Sequence, residues 1–160
     1  MTTPLPSDAS RTTMTEILLP THANALGNAF GGQILAWMDI CAAICAQRHA
    51  GLVCVTAGLD DLSFERPIKV GEVVQLEARV TAVFRSSFEV RVVVRGENPL
   101  THTVWPCVEA YLTFVAIDAG GKPTAVPALA VATQDDERLK ANAHVRREQR
   151  LARRKAAAGG

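Results

Sequence analysis

The sequence predicts an α+β domain in which an antiparallel sheet packs against one long, buried helix. Three observations indicate this class. From Ile34 to Ala46 every residue is apolar except Asp39, as expected of a helix that other parts of the molecule cover. Three later segments alternate apolar and polar residues with the period of a half-buried strand. The 160 residues suffice for one domain with a sizeable core, but not for two comfortable ones.

The first half of the chain holds the long helix between two predicted strands. Pro20 ends the first strand, and the polar residues that follow it are typical of a loop. The elements begin with a strand at 14–20 and a loop at 21–28. Gly31 and Gly32 then open a helix that runs to about His49, with a break at Gly51. A strand follows from 52 and ends in a loop around Arg66, Pro67 and Gly71.

The second half contains the clearest alternation. Residues 74–82 and 88–95 each predict a strand, and the short Arg85-Ser86-Ser87 link between them predicts a hairpin. Alternation from Thr103 to Asp118 predicts the final strand, so that four or five strands form the sheet. The charged, Ala-rich stretch from Asp135 to about Lys155 predicts an exposed, basic C-terminal helix.

The predicted organisation is a disordered N-terminus at 1–12, one domain at 13–132 and a basic helical tail at 133–160 that frays at its end. The tail has eight Lys or Arg against four Asp or Glu, a net charge of +4, whereas the whole chain has +1. So small a total charge argues against bulk nucleic-acid binding. The basic charge is concentrated in the tail.

The composition argues against a membrane protein and against a metal site. No apolar run approaches the roughly 20 residues that span a bilayer, and the start lacks the features of a signal peptide, so we expect a cytoplasmic protein. The four cysteines show neither a CxxC motif nor a histidine at metal-ligand spacing. We therefore expect them to be small buried side chains, with no metal bound.

Three features within sixteen residues suggest chemistry: Asn24 in the loop, Gly31 and Gly32 at the helix start, and Asp39 inside the helix. Free N–H groups at a helix start stabilise a carbonyl oxygen that becomes negative, and glycine lets a ligand approach closely. An amide orients water or a carbonyl, and a carboxylate in apolar surroundings acts as a base or a nucleophile.

Helix geometry keeps these groups apart within one chain. Asp39 lies seven residues after Gly32, roughly 10 Å along the axis. If both groups act on one carbonyl, they come from two subunits whose helices lie antiparallel. The structural alternative is that Asp39 is paired with a neighbouring group and that Asn24 only supports its turn.

Several separated blocks resemble one family. NALGNAFGGQILAWMD, CVTAGLDDLSFERPIKVGE, VFRSSFEV, YLTFVAID and GKPTAVP are similar, in order and spacing, to the hotdog-fold acyl-CoA thioesterases, in particular the bacterial and brain-type cytosolic acyl-CoA hydrolases. The similarity covers roughly residues 14–128. Two departures are Phe30, where many relatives have His, and Trp105-Pro106, which has no evident counterpart.

The resemblance implies a sheet of about five strands around the long helix, dimers with a continuous sheet, and often a trimer of such dimers. It implies hydrolysis of acyl-CoA, with coenzyme A part of the substrate and product and no separate cofactor. Asn24 and Asp39 match the catalytic pair, contributed by opposite subunits. Gly31 and Gly32 match the helix start that binds the thioester oxygen.

The family binds coenzyme A at the strand linker and through basic groups. This points to Arg85, Ser86, Ser87, Arg146 and Arg150 as substrate-binding residues.

Other readings stay open at the level of the sequence. Thr56 faces the thioester in this interpretation, while His22 as an alternative base and Arg66-Pro67 as a ligand contact are weaker hypotheses. A dehydratase would need a histidine-bearing loop and usually a glutamate in the helix. A non-catalytic acyl-CoA-binding module needs only the same cleft, and it is the main alternative.

Overall fold

The structure, a computed structural model of the chain, describes residues 3–159. Its elements are β1 (Leu5–Pro6), β2 (Thr12–Ile17), α1 (Gly31–Ala50), β3 (Val53–Phe64), β4 (Val73–Val83), β5 (Ser87–Asn98), β6 (Thr103–Ile117), β7 (Leu129–Ala130) and α2 (Gln134–Ala158). Short 3-10 helices occupy Ser7–Ala9 and Pro20–His22. The predicted α+β fold, with one long helix, five main strands and a C-terminal helix, is confirmed.

The five long strands form one antiparallel sheet in the order β2-β4-β5-β6-β3. In β4, Val74, Leu76, Ala78 and Val80 are buried, while the residues between them are half-buried, as their alternation predicts. The predicted β4–β5 hairpin is present and is closed by a hydrogen bond from the Phe84 N–H to the Ser87 carbonyl (2.9 Å). Helix α1 contacts all five strands, so the core lies between helix and sheet.

Helix α1 is covered on one side only within the chain. Its buried residues are Ile34, Trp37, Met38, Cys41, Ala42, Cys45, Ala46, His49 and Ala50. On the other side Ala36, Asp39, Ile40 and Ile44 are exposed. An apolar helix that is expected to be covered all round therefore leaves one apolar face to a partner.

The N-terminal residues differ from the disorder expected of them. Over residues 3–12, β1 pairs in parallel with β7, and the side chains of Ser7 and Ser10 are buried. The Ser7 hydroxyl donates to Asp136 at the start of α2 (3.3 Å). The segment is thus tied to the C-terminal part of the chain. Residues 1 and 2, to which the same expectation applied, lie outside the described residues.

The C-terminal helix packs on the outer face of the sheet. Phe88 and Val90 point into the core, so Glu89 between them points outward, where Arg146 of α2 binds it. Leu139 and Ala143 are buried in the same contact. The helix is confirmed, and it continues to Ala158 rather than fraying after Lys155. Over residues 3–159 no helix is long and apolar enough to cross a membrane.

Candidate functional site

The loop before α1 is shaped by the side chain of Asn24. Its Oδ1 accepts hydrogen bonds from the backbone N–H groups of Leu26 (2.9 Å) and Asn28 (3.2 Å). These bonds form a turn of the kind that short amide side chains favour. Asn24 therefore does support its turn. Its side-chain nitrogen donates to no group among residues 3–159, so that donor is available for a ligand.

A cleft of about 250 Å³ lies where this loop meets the start of α1. We call it the glycine cleft; its lining residues are Asn24, Asn28, Ala29, Gly31, Phe64, Glu65, Arg66 and Pro67. Backbone hydrogen bonds from Ala29 to Ile68 (2.7 Å) and from Val70 to Gly27 (3.0 Å) join its two walls. The loop before α1 and the segment after β3 thus form the two walls of the cleft.

Gly31 and Gly32 begin α1, where the first N–H groups have no acceptor within the helix. A Cβ atom on Gly31 would lie 3.7 Å from the Phe64 ring, in ordinary contact. A Cβ atom on Gly32 would approach the Phe30 ring to 2.7 Å, so any other residue there would displace Phe30. Glycine at position 32 therefore leaves room for the Phe30 ring, and the role of both glycines in binding a ligand stays a prediction.

Asp39 is paired with Thr56 on the exposed face of α1. The Thr56 hydroxyl donates to Asp39 Oδ1 at 2.6 Å, and both residues are exposed in the isolated chain. The two side chains meet because β3 begins just after the C-terminal end of α1 and packs against the helix. Thr56 was predicted to face the substrate; in the structure its hydroxyl contacts the carboxylate, and its role in substrate binding stays a prediction. The second carboxylate oxygen has no hydrogen bond among residues 3–159.

One chain does not bring Asn24 and Asp39 together. Asp39 lies eight residues beyond Gly31 on a continuous helix, about 12 Å along its axis. Neither Asp39 nor Thr56 lines the glycine cleft. The chain thus holds two separate groups, the cleft with Asn24 and the Asp39–Thr56 pair.

The residues predicted to bind coenzyme A lie elsewhere. Arg85 is exposed at the β4–β5 turn, and the carbonyls of Arg85 and Ser86 accept hydrogen bonds from Val126 and Ala116 (both 3.0 Å). Ser87 begins β5. Arg146 and Arg150 of α2 bind Glu89 (2.8 and 3.0 Å) and Asp60 (2.6 Å). None of the five lines the glycine cleft, and their role in binding stays a prediction.

The other two residues weighed from the sequence have distinct surroundings. His22 packs its ring edge-on against Trp37 with centroids 5.0 Å apart, and its Nδ1 lies 3.4 Å from the Leu19 N–H. Arg66 and Pro67 line the glycine cleft. Phe64 and Glu65 also line it, and the sequence analysis missed them. Their adjacency to Arg66-Pro67 is the only signal that could have indicated them.

Comparisons with known proteins agree with this fold. Residues 26–101 match the family model described as the thioesterase superfamily. An uncharacterised acyl-CoA thioester hydrolase of Bacillus subtilis is 35% identical over 91% of this chain and 85% of its own length. Mouse acyl-coenzyme A thioesterase 11 is 43% identical over 64% of this chain, which spans 17% of that longer protein.

Solved structures are similar along nearly the whole chain. An apo-hexameric acyl-CoA thioesterase is 39% identical, with a TM-score of 0.91 over 95% of this chain and 97% of the other. An acyl-CoA hydrolase of Staphylococcus aureus, solved with butyryl coenzyme A, coenzyme A and coenzyme A disulfide, is 34% identical, with a TM-score of 0.90 over 97% and 94%. The fold is that of a hotdog-fold protein. The chain belongs to the thioesterase superfamily.

The Staphylococcus aureus hydrolase has also been solved with single alanine replacements of an asparagine, an aspartate and a threonine. In that protein the three positions are separated by 15 and 17 residues. The same separations join Asn24 to Asp39 and Asp39 to Thr56 in this chain.

Proposed function

We propose that this protein hydrolyses acyl-CoA thioesters to a carboxylic acid and free coenzyme A. The observation that carries the proposal is the Asp39–Thr56 pair, a carboxylate held by a hydroxyl on an exposed apolar helix face, away from the glycine cleft of its own chain. Membership of the thioesterase superfamily supports the same reaction. So does the matching spacing of the three residues replaced in the Staphylococcus aureus hydrolase.

The proposed active enzyme contains at least two copies of the chain. Strand β3 is an edge strand that pairs only with β6, and its Val53, Val55 and Leu59 are exposed. A long apolar edge is normally covered, and pairing with a second β3 would cover it together with Ile40 of α1. A two-fold axis there would bring Asp39 of one copy toward the glycine cleft of the other. The hexameric relative supports further assembly into a trimer of dimers.

In the proposed reaction Asp39 takes a proton from water as the water oxygen bonds to the thioester carbon. Backbone N–H groups at Gly31 and Gly32 of the other subunit stabilise the oxyanion that forms. The carbon–sulfur bond then breaks, and the coenzyme A thiolate leaves and takes up a proton. Direct attack by Asp39, giving an anhydride that water cleaves, uses the same groups.

Asn24 and Thr56 have supporting roles in this scheme. The free side-chain N–H group of Asn24 orients the water or the carbonyl, while its oxygen keeps the loop in place. Thr56 holds one carboxylate oxygen of Asp39 and leaves the other for water. The base, the oxyanion donors and the orienting amide are all protein groups, so the proposal requires no metal or cofactor. The cytoplasmic location inferred from the sequence belongs to the same proposal.

Coenzyme A binding is the least constrained part of the proposal. Arg85, Ser86 and Ser87 stand at a turn where the guanidinium is exposed. Arg146 and Arg150 already bind Glu89 and Asp60, respectively. They would therefore contact phosphate only through guanidinium N–H groups that these ion pairs do not use.

The reaction is tested by replacing Asp39 with asparagine and measuring free thiol released from butyryl-CoA. We expect kcat to fall by about 10²–10⁴-fold, because the lost group acts on the transition state, with little change in KM. Glu16→Gln on the far edge strand β2 is the matched control, since it also removes a carboxylate, one that is half-buried. A variant that binds and hydrolyses like the wild type would refute the role of Asp39. Wild-type protein that binds butyryl-CoA without releasing thiol would instead indicate the non-catalytic binding module.

Mixing two inactive variants tests whether the groups come from different subunits. In a dimer of one Asn24→Ala chain and one Asp39→Asn chain, one of the two sites keeps both residues if the site is shared. Random reassembly of a 1:1 mixture should therefore restore about a quarter of wild-type activity. No recovery from a mixture that demonstrably exchanges subunits would mean that each chain uses its own residues.

A further inference from the structure

Trp105 occupies an unusual position at the far end of β6. It lies opposite Gly96 of β5, and its side chain is only 5% exposed. A Cβ atom on Gly96 would overlap the indole ring at Cε2 and Nε1. Gly96 thus leaves the space that the tryptophan fills. The family resemblance offers no counterpart for Trp105-Pro106.

Pro106 next to it interrupts the ladder between β5 and β6. Val94 pairs with Val108 but Arg95 pairs with Pro106, so Cys107 is the extra residue of a bulge. Proline has no N–H for the ladder, which is why a bulge suits it. The Cys107 carbonyl accepts a hydrogen bond from the Glu65 N–H (2.8 Å). The bulge therefore ties β6 to the segment that lines the glycine cleft.

The indole ring makes two further contacts with that segment. Its Nε1–H donates to the Pro67 carbonyl at 3.2 Å, and the Arg66 guanidinium carbon lies 4.5 Å from the ring centroid. The second contact is a cation–π interaction. Three contacts thus hold residues 65–67 in place, and two of them come from Trp105.

Arg66 differs from the arginines of α2 in its pairing. Arg146 and Arg150 each bind a carboxylate of this chain, whereas Arg66 forms no ion pair with any side chain that the structure describes. Glu65 lines the same cleft, without an ion pair to Arg66. The guanidinium therefore lies over the Trp105 ring, and its N–H groups are available at the cleft.

We propose that Trp105 is a positioning residue that holds Arg66 at the glycine cleft, where Arg66 binds an oxyanion of the substrate. The inference rests on the proposed acyl-CoA hydrolysis and extends it to the recognition of the substrate. A guanidinium fixed in this way offers a planar pair of N–H donors, which suits phosphate or carboxylate oxygens. Two parts of an acyl-CoA supply such an anion: the phosphates of coenzyme A and a terminal carboxylate on a dicarboxylic acyl chain.

The experiment compares Arg66→Gln with Arg95→Gln, which removes an exposed arginine beside Gly96 but outside the glycine cleft. Steady-state kinetics are measured with butyryl-CoA and succinyl-CoA, and calorimetry measures binding of free coenzyme A. We expect Arg66→Gln to raise KM at least about tenfold with kcat within about twofold, as for loss of a hydrogen bond to a charged group. The Arg95→Gln control should match the wild type.

The pattern of losses identifies the anion. If coenzyme A supplies it, both substrates and free coenzyme A bind more weakly to Arg66→Gln; if the acyl chain supplies it, only succinyl-CoA does. Unchanged KM for both substrates and unchanged coenzyme A binding would overturn the role of Arg66. Should the wild type hydrolyse neither substrate, the proposed function fails, and titration with coenzyme A and succinyl-CoA still tests Arg66.

Two variants test the positioning role of Trp105. Trp105→Phe keeps an aromatic face but loses the N–H donor, and Gly96→Ala displaces the indole while retaining both Trp105 and Arg66. Both should raise KM for the substrates that Arg66→Gln affects, by a smaller factor and with kcat preserved. Thermal unfolding is used to check that each variant is folded. If Gly96→Ala does not fold, Trp105→Phe alone tests the positioning role. If Arg66→Gln raises KM while folded Trp105→Phe binds normally, Trp105 does not position the arginine.

Discussion

The contact between Arg146 and Glu89 predicts that Arg146→Ala destabilises the protein strongly. Glu89 is fully buried at 0% exposure, and its two carboxylate oxygens accept hydrogen bonds from the Arg146 guanidinium at 2.8 and 3.0 Å. The Thr81 hydroxyl donates to the same carboxylate at 2.6 Å. The guanidinium also lies over the Tyr111 ring, 3.5 Å from its centroid. Among residues 3–159, Arg146 is therefore the cation that pairs with the Glu89 carboxylate, which has no access to water.

The size of the effect follows from which partner is removed. Deleting one member of a buried ion pair leaves an uncompensated charge and costs about 3–5 kcal/mol. That is a large part of the roughly 5–15 kcal/mol by which a domain is stable. For a chain of this size 1 kcal/mol corresponds to about 2–4 °C, so we expect Tm to fall by roughly 6–20 °C. Replacing the pair with neutral groups should cost less, since no charge is then left buried.

The free energy of unfolding is measured in urea for four proteins: wild type, Arg146→Ala, Glu89→Gln and the double variant. The double variant should be more stable than Arg146→Ala, and Lys140→Ala on the same helix serves as a control without a buried partner. A loss below about 1 kcal/mol for Arg146→Ala would refute the reasoning. A raised KM for acyl-CoA with unchanged stability would instead favour the role in coenzyme A binding that the sequence suggests.

Three further predictions concern titration and the Asp39 pair. Burial lowers the pKa of His49 below its ordinary 6.5, so the unfolded chain binds a proton that the native chain does not as pH falls below about 6.5. The free energy of unfolding should therefore decrease as the pH falls below about 6.5. If urea midpoints of a His49→Gln variant showed the same pH dependence as those of the wild type, His49 would not be the cause. Burial raises the pKa of the Cys45 thiol to about 12 and that of the Cys41 thiol to about 11. The two thiols should therefore resist thiol reagents in the native protein and react with them in denaturant. Rapid labelling of these cysteines in the folded protein would show that they are not buried. Thr56→Val should lower kcat less than Asp39→Asn does, with KM nearly constant, and an unchanged kcat would remove Thr56 from the mechanism.

The regular elements could be predicted because their signals are local. Alternation over residues 74–82 needs only neighbouring side chains to indicate a strand with one buried face, and the structure has β4 at Val73–Val83. The apolar run after Gly31-Gly32 likewise indicates α1, and its spacing keeps Asp39 from the helix start. For the same reason the sequence could predict that one chain does not bring Asp39 to its own helix start.

Contacts between distant residues could not be predicted in this way. Arg146 binds Glu89 across 57 positions and Arg150 binds Asp60 across 90, so two arginines that the sequence predicts to bind coenzyme A also hold α2 on the sheet. The N-terminal segment, expected to be disordered, contacts Asp136 through Ser7. No local sequence pattern predicts such contacts, because each forms only when α2 packs on the sheet.

By itself, then, the sequence determined the succession of the long strands and helices along the chain, and it proposed Asn24, Gly31, Gly32 and Asp39 as candidate site residues. Periodicity and helix rise are properties of consecutive residues, so they can be read before folding. The tertiary structure alone decided that Thr56 binds Asp39 and that Trp105 holds Arg66 beside the cleft. Those pairings depend on strand register, a bulge at Pro106 and the packing of α1, and each of these is set only when separate segments of the chain meet.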